Sequence, residues 1–413
     1  MRHKPWLAAV IAVVVLVGGA AVAVTLPLGA RVAHRMVEVF RGDPPPEAPV
    51  PIETADLGGT GPGTLVSATT MPAIQARVPG RQLQSARVVY RSTNGDTGKE
   101  TVVSGAVFTP VGQPPPGGWP IISFGHGTTG IDEECGPSVS DSLLGLTGPM
   151  FALVKLGYAV ALADYQGLGQ PGVHPYTDAK TAGLNMIDAV RALRHTFGNT
   201  STRWLALGGS QGGGASWAAD EQAATYSPEL ELVGAVADSP AADVTRIVDK
   251  AQARTLTDDQ RPAFLAIVES LARLHPDLDR DDYRRGAAAR YWDVTLSCAG
   301  NDAHLRDDAL TQVTADDIRP ESPVAADRLR ALVARWALPQ RRLSAPLSVA
   351  YGGADTYIDA TWTTDAIARA CALGGNVEWD LQPDKGHGDV EVAYQLAWIS
   401  DRFAGKPAAN ECP

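Results

Sequence analysis

Two hydrophobic rhythms alternate along most of this chain. Short apolar runs bounded by Gly, Asp or Pro occupy 121–124, 158–163, 204–207, 232–237, 347–351 and 377–381. Runs of this length suit strands buried on both faces of a sheet. Between them lie stretches with a three-to-four-residue period, notably 390–403 and 182–197, where Leu184, Ile187, Val190, Ala192 and Leu193 approximate one helical face. Strand, helix, strand in succession predicts an α/β fold, a mostly parallel sheet with helices on both faces. Ahead of these runs, 87–91 and 101–108 flank Asn94-Gly95, a hairpin turn signal, so two antiparallel strands should open the sheet.

The rhythm breaks between 240 and 342, a charged region rich in Ala, Leu, Arg and Asp. It offers helical stripes such as Phe264, Ile267, Val268, Leu271 and Leu274, and no buried strand. It reads as a helical lid or cap inserted over the carboxyl edge of the sheet; a separate small helical domain is the alternative. At the other end, 6–30 contains no charge and one polar side chain, Thr25. That is long enough to span a bilayer, yet Ala21-Val22-Ala23 supplies the Ala-x-Ala pattern of a cleavage site. The segment is a signal anchor or a signal peptide, its length favouring the anchor and hence a membrane partner, and either exports the remainder if the N-terminus stays inside. Five prolines between 42 and 51 make a stiff spacer. The expected organisation is therefore 1–30 anchor or signal, 31–60 Pro-rich linker, 61–240 first part of the core, 241–342 helical insertion, and 343–413 second part of the core.

Composition narrows the partners. Of 413 residues, 35 are Lys or Arg and 46 Asp or Glu, a net charge of −11. No broad basic surface is available for phosphates, so nucleic acid is not an expected partner. Cys135, Cys298, Cys371 and Cys412 lie far apart and outside any Cys-x-x-Cys spacing. Metal binding is not expected; two disulfides in an oxidising compartment are, with three pairings open.

The chemistry-bearing residues follow the strands. Gly208-Gly209-Ser210-Gln211-Gly212 stands between the apolar run 204–207 and the small residues Gly213-Gly214-Ala215. This is the strand, tight turn and helix order of a nucleophile elbow, where small neighbours let a strained backbone lift the serine hydroxyl above the sheet. Such a hydroxyl is a poor nucleophile until a base takes its proton, and that base needs an acid to fix its tautomer. Gly352-Gly353-Ala354-Asp355 ends the run 347–351, and Lys385-Gly386-His387-Gly388 follows 377–381. The order Ser210, Asp355, His387 is that of the α/β-hydrolases. Asp359 is a near competitor for the acid; His174, His195, His275 and His304 precede the acid strand or lie in the insertion, out of order for the base. After 121–124 comes Gly125-His126-Gly127-Thr128-Thr129-Gly130, a loop placed to donate to a developing oxyanion. The oxyanion donors are assigned to the backbone N–H groups of Gln211 and Thr128, with Gly127 as the alternative to Thr128. His126 is read as a loop-holding hydrogen bonder, and Asp164-Tyr165-Gln166-Gly167-Leu168-Gly169 as either a pocket-shaping segment or an ordinary turn.

These motifs together resemble the secretory lipase family of fungi and actinobacteria, over a span from about residue 61 to the C-terminus. The resemblance implies an α/β-hydrolase core with a helical lid, acting without a cofactor on carboxylic esters, often triacylglycerols, outside the cytoplasm. It also implies disulfides Cys135–Cys298 and Cys371–Cys412. The expectation is a serine lipase or esterase whose substrate is a lipid or other carboxylic ester, with chain-length preference set by a cavity under the 240–342 insertion. A peptidase using the same triad and a non-catalytic, membrane-anchored lipid binder are the competing readings.

Overall fold

The computed structural model describes residues 48–77, 79–298 and 303–413. The apolar segment 6–30, with its anchor or signal-peptide expectation, and the first part of the spacer lie outside the described residues. Among those described, no helix is long and apolar enough to cross a membrane.

Nine strands among the described residues form one sheet: β1 Leu65–Thr70, β2 Leu83–Thr93, β3 Glu100–Pro110, β4 Trp119–Gly125, β5 Ala159–Ala163, β6 Thr200–Gly209, β7 Glu231–Asp238, β8 Leu347–Gly352 and β9 Val377–Gln382. Their spatial order is β1-β2-β3-β5-β4-β6-β7-β8-β9. β1, β2, β3 and β5 pair antiparallel, and every pairing from β5 to β9 is parallel. The expected α/β architecture is thus present, with one strand more than the apolar runs indicate. β1 buries fully only Leu65 and Ala68, and a register shift between Leu65 and Ser67 interrupts its alternation.

Among the described residues nine helices of seven residues or more accompany the sheet: α1 Thr147–Lys155, α2 Ala179–Thr196, α3 Gln211–Tyr226, α4 Ile247–Ala253, α5 Gln260–Leu274, α6 Ala303–Leu310, α7 Pro323–Ala334, α8 Ala360–Ala372 and α9 Gln395–Phe403. α2, α3 and α8 cover one face of the sheet, α1 and α9 the other. The strands present small side chains to α2 and α3 (Ala161, Ala163, Ala206, Ala235) and larger ones to α1 and α9 (Val160, Leu162, Leu205, Val236). Period-2 alternation of small and large thus lets the first helix pair approach closely while the second rests on a bulkier layer.

Two local expectations need correction. β2 and β3 stay in register to Thr93↔Glu100, so Asn94-Gly95 does not form a two-residue turn. Residues 94–99 close instead through Gly98, at φ +69°, whose N–H donates to Asn94 O at 2.8 Å. Gly95 is needed for another reason: a Cβ there would come within 2.8 Å of Thr181 N in α2. The helix expected from 390 begins only at Gln395. Residues ahead of it are held in turns because Glu391 exchanges two hydrogen bonds with the Gln382 side chain, at 2.8 and 3.0 Å.

Between β7 and β8 the described residues carry helices α4 to α7, and the stripe on α5 is buried at Phe264, Ile267, Val268 and Leu271 in a cluster of its own. This segment sits on loops at the carboxyl ends of the parallel strands. Arg273 pairs with Asp132 at 2.6 Å, Ser270 Oγ donates to His174 O at 2.6 Å, and Lys250 pairs with Asp359 at 2.9 Å. Glu269 is opposed by burial, but Arg280 and Arg273, with the Trp292 indole, hold its carboxyl down at about 2.

Disulfides join Cys135 to Cys298 and Cys371 to Cys412, the pairings implied by the family resemblance. The second anchors the C-terminal tail along β9, where Glu411 N–H donates to Val377 O at 2.9 Å and Trp379 N–H to Glu411 Oε2 at 2.8 Å. Its sequence separation of 41 residues corresponds, on the loop-entropy estimate, to about 4 kcal/mol. A Cys371→Ser, Cys412→Ser double variant is expected to lose stability of that order, measured by urea denaturation against the unmodified protein.

A pair of acids on α3 ties down the return to β8. Asp220 Oδ1 accepts from Ser344 N at 2.7 Å and Ala345 N at 2.8 Å, and Glu221 Oε2 accepts from Gln340 N at 3.0 Å. Among the described residues Asp220 Oδ2 and Glu221 Oε1 are buried without hydrogen-bond partners. Burial pushes Asp220 up to about 8 and Glu221 up to about 7. A carboxyl raised on folding stabilises fully below its unfolded value, near 4, and that stability is lost as pH rises through the folded value. Asp220→Asn keeps the Oδ1 acceptor and removes the titration. Its thermal stability between pH 6 and 9 is therefore expected to fall less steeply than that of the unmodified protein, by a few kcal/mol at pH 9.

Candidate active site

Ser210 stands between the last residue of β6 and the first of α3, with φ +57° and ψ −121°. Such a backbone costs of the order of 1–3 kcal/mol, and surrounding contacts impose it. Ser210 N–H donates to Asp238 O at 2.8 Å, and Ser210 O accepts from Gly214 N at 3.1 Å and Ala241 N at 3.0 Å. Gly212 is required by proximity: a Cβ there would come within 2.0 Å of Gly125 O, at the end of β4. The elbow is therefore wedged against the loop that carries Gly127 and Thr128.

The acid and base arrive on two loops stitched together by backbone. Gly353 N–H donates to Gln382 O at 2.8 Å and Ala354 N–H to Lys385 O at 2.9 Å. Asp355 Oδ2 then meets His387 Nδ1 at 2.7 Å, with side chains only 2% and 11% exposed. The other oxygen, Oδ1, accepts from Tyr357 N at 2.7 Å and Ile358 N at 2.9 Å. A carboxylate so held fixes the imidazole tautomer, leaving Nε2 as the basic nitrogen. Tyr357 lies against the His387 ring at 4.8 Å between centroids, and Ser239 Oγ donates to His387 O at 3.1 Å. Asp359, the competing acid, is bonded instead to Lys250 and to Gln260. Ser210 and His387 line one cavity. Among the described residues no hydrogen bond joins Ser210 Oγ to His387; such bonds commonly tighten only with substrate in place.

Gln211 and Thr128 flank the serine. A Cβ on Gly127 would lie 3.9 Å from Ser210 Cβ, which places this loop beside the nucleophile position. Among the described residues neither the Gln211 nor the Thr128 N–H has a backbone acceptor. Helix α3 begins at Gln211, which puts the positive end of its dipole at the serine. Thr128 Oγ1 is bonded to Tyr176 OH at 2.9 Å. His126 is buried with its two ring nitrogens on Gly127 O and Asp164 O, at 2.6 and 3.2 Å, and stacks on Tyr165. That is the loop-holding arrangement expected of it, and burial lowers its pKa.

Sequence order excluded His174 as the base, and the structure gives it a different place. Gln211 Nε2 donates to His174 Nε2 at 2.9 Å, while His174 Nδ1–H donates to Gln166 O at 2.8 Å. Burial pushes His174 down to about 4, so it remains the neutral acceptor this chain of bonds requires. The Asp164–Gly169 segment therefore reaches the Gln211 side chain through His174. Asp238, at the end of β7, was not singled out; it lines the cavity beside Ser210 and accepts from Gln395 Nε2 at 2.7 Å. Burial raises its carboxyl to about 7. Its position at a strand end was the available signal. Among the described residues no cluster of His, Cys, Asp and Glu has the makings of a metal site.

The fold has known counterparts. The chain is similar to Candida antarctica lipase A in its closed state, 17% identical with a TM-score of 0.69 over 87% of each chain. It is also similar to the rice cell wall degrading esterase LipA from Xanthomonas oryzae, 21% identical with a TM-score of 0.64, covering 84% of this chain and 97% of that one. These likenesses define an α/β-hydrolase fold. Residues 147–411 match the secretory lipase family, and the chain belongs to that family. A Mycobacterium tuberculosis protein named a probable inactive lipase is 24% identical over 84% of this chain and 80% of its own length. Candida albicans Lipase 6 is 25% identical over 63% of this chain and 58% of its own.

Proposed function

We propose that the protein is a serine carboxylic-ester hydrolase of lipase or esterase type, working outside the cytoplasm, and that Ser210, His387 and Asp355 are its catalytic residues. The observation that carries this reading is the bond of His387 Nδ1 to a buried Asp355 at 2.7 Å, with His387 and Ser210 opening on one largely apolar cavity. Ser210 Oγ attacks the ester carbonyl carbon and passes its proton to His387 Nε2. The oxyanion is held by the N–H groups of Gln211 and Thr128. Collapse breaks the C–O bond to the alcohol, which leaves with the proton from His387. Water, deprotonated by His387 in turn, releases the acid from Ser210. On the same reading 61–240 and 343–413 make up the catalytic core, 241–342 is its helical cap, and the apolar N-terminus directs export.

Fluorophosphonate probes react with an activated serine and leave other serines untouched. The expected result is stoichiometric labelling of Ser210, together with turnover of p-nitrophenyl butyrate exceeding that of a p-nitroanilide of the same acid. Faster anilide cleavage would turn the reading toward a peptidase. The name of the mycobacterial relative favours one second reading, a lipase-family protein without catalysis. Absence of both labelling and turnover would establish that reading in place of the first.

A further inference from the structure

Thr128 and Gln211, the residues assigned to hold the oxyanion, lie on separate stretches of chain, yet their side chains end on one short strap. Thr128 Oγ1 is bonded to Tyr176 OH at 2.9 Å, and Gln211 Nε2 donates to His174 Nε2 at 2.9 Å. The strap, His174-Pro175-Tyr176, is itself fastened on two sides. On one, His174 Nδ1–H donates to Gln166 O at 2.8 Å, and Gln166 N–H donates to Asn185 Oδ1 at 2.9 Å. On the other, Ser270 Oγ of α5 accepts from Tyr176 N at 2.9 Å and donates to His174 O at 2.6 Å. The loop that carries Thr128 has little else to hold it. Among the described residues no N–H of 127–131 donates to a backbone carbonyl, and the Thr128–Tyr176 bond is the one hydrogen bond made by a side chain of that loop. The neighbouring Thr129 hydroxyl, among the described residues, is buried without a partner.

We propose that Tyr176 and His174 are positioning residues of the oxyanion hole, fixing Thr128 and Gln211 beside Ser210 before substrate arrives. The inference rests on the hydrolase reading and says how its oxyanion donors are kept in place. A donor stabilises a developing charge best when it is already aimed there and need not reorganise as the charge appears. Gln211 inherits part of its aim from the elbow and from α3, whereas Thr128, on a loop without backbone bonds, depends on the Tyr176 hydroxyl. Deleting one oxyanion donor costs about 10²–10³-fold in kcat. Releasing a donor leaves it present but misdirected for part of the time, and costs less. Neither Tyr176 nor His174 touches the ester on this account, so substrate binding is spared.

The test is a double-mutant cycle on p-nitrophenyl butyrate. It pairs Tyr176→Phe, which removes only the hydroxyl, with Thr128→Val, which keeps the N–H and the shape of the side chain. Tyr176→Phe is expected to lower kcat about 20-fold, with KM changed by less than about threefold and the thermal melt within a few degrees of the unmodified protein. In a Thr128→Val background the same change should alter kcat by less than about twofold, because the bond it breaks is already gone. Thr128→Ser, which retains a hydroxyl, should stay within about threefold of the unmodified rate. On the other arm, Gln211→Met keeps its N–H and loses the amide that reaches His174, and a fall in kcat of about tenfold with KM spared is expected. Full rate in Tyr176→Phe, or an equal loss in both backgrounds, would overturn the proposal for Tyr176; full rate in Gln211→Met would overturn it for His174. If Ser210 of the unmodified protein resists phosphonate labelling, the hydrolase reading falls separately, and the strap is judged by nitrogen relaxation of the Thr128 amide. Tyr176→Phe is then expected to lower its order parameter from about 0.85 toward about 0.6, and an unchanged value would overturn the positioning.

Discussion

Replacing Ser210 with alanine is expected to lower kcat for p-nitrophenyl ester hydrolysis by about 10⁶-fold while leaving the thermal melt within a few degrees of the unmodified protein. The size follows from the role. Removing Oγ abolishes the covalent route altogether, and what survives is the rate from binding and from the Gln211 and Thr128 N–H groups. The fold should tolerate the change, because the backbone of Ser210 is held by Asp238 O, Gly214 N and Ala241 N, none of which needs the hydroxyl. Stopped assays at substrate saturation, with mass spectrometry to exclude residual acyl-enzyme, measure the outcome. A variant retaining the rate of the unmodified protein would remove Ser210 from the mechanism.

Asp355→Asn should lower kcat by about 10⁴-fold. The asparagine amide can fill the same space, and its oxygen can still accept from Tyr357 N and Ile358 N. Toward His387 it would then present an N–H in place of an acceptor, so the imidazole would turn its lone pair to Nδ1 and carry its proton on Nε2, where it cannot accept from Ser210. The discriminating readout is a fall in kcat with KM changed by less than about threefold, because the acid does not touch substrate. A rate near that of the unmodified protein would demand a different acid. Asp359 is poorly placed for that role, since Lys250 Nζ lies 2.9 Å from both its oxygens and Gln260 donates to one of them.

The parallel part of the sheet and the order of the three polar residues were legible because buried strands write themselves as unbroken apolar runs, and a nucleophile elbow demands glycines on either side of its serine. What escaped was written in other terms. β1 is an edge strand with two buried side chains, too few to make a pattern. The Asn94-Gly95 pair looked like a hairpin turn, whereas Gly95 answers to the close approach of α2 and Gly98 to the bend. The His174–Gln211 bond joins residues 37 positions apart, with no spacing rule to announce it. The cavity at Ser210 was the least legible part of the site. Its walls come from a short helix after β5's neighbour β4 and from the C-terminal helix, and such a concavity is a property of two surfaces, invisible in either stretch alone.

Both margins of the sheet end against the chain itself. At one, Ile52 N–H reaches Ala68 O on β1; at the other, Asn410 and Glu411 bond to Val377 on β9. An open margin is a template on which a second copy can add its own strand. Asn410 and Glu411 therefore occupy amide and carbonyl groups of Val377 that an uncovered edge would leave open to a neighbouring strand. Any redesign that trims or extends the terminus inherits that duty, however remote it stands from the serine.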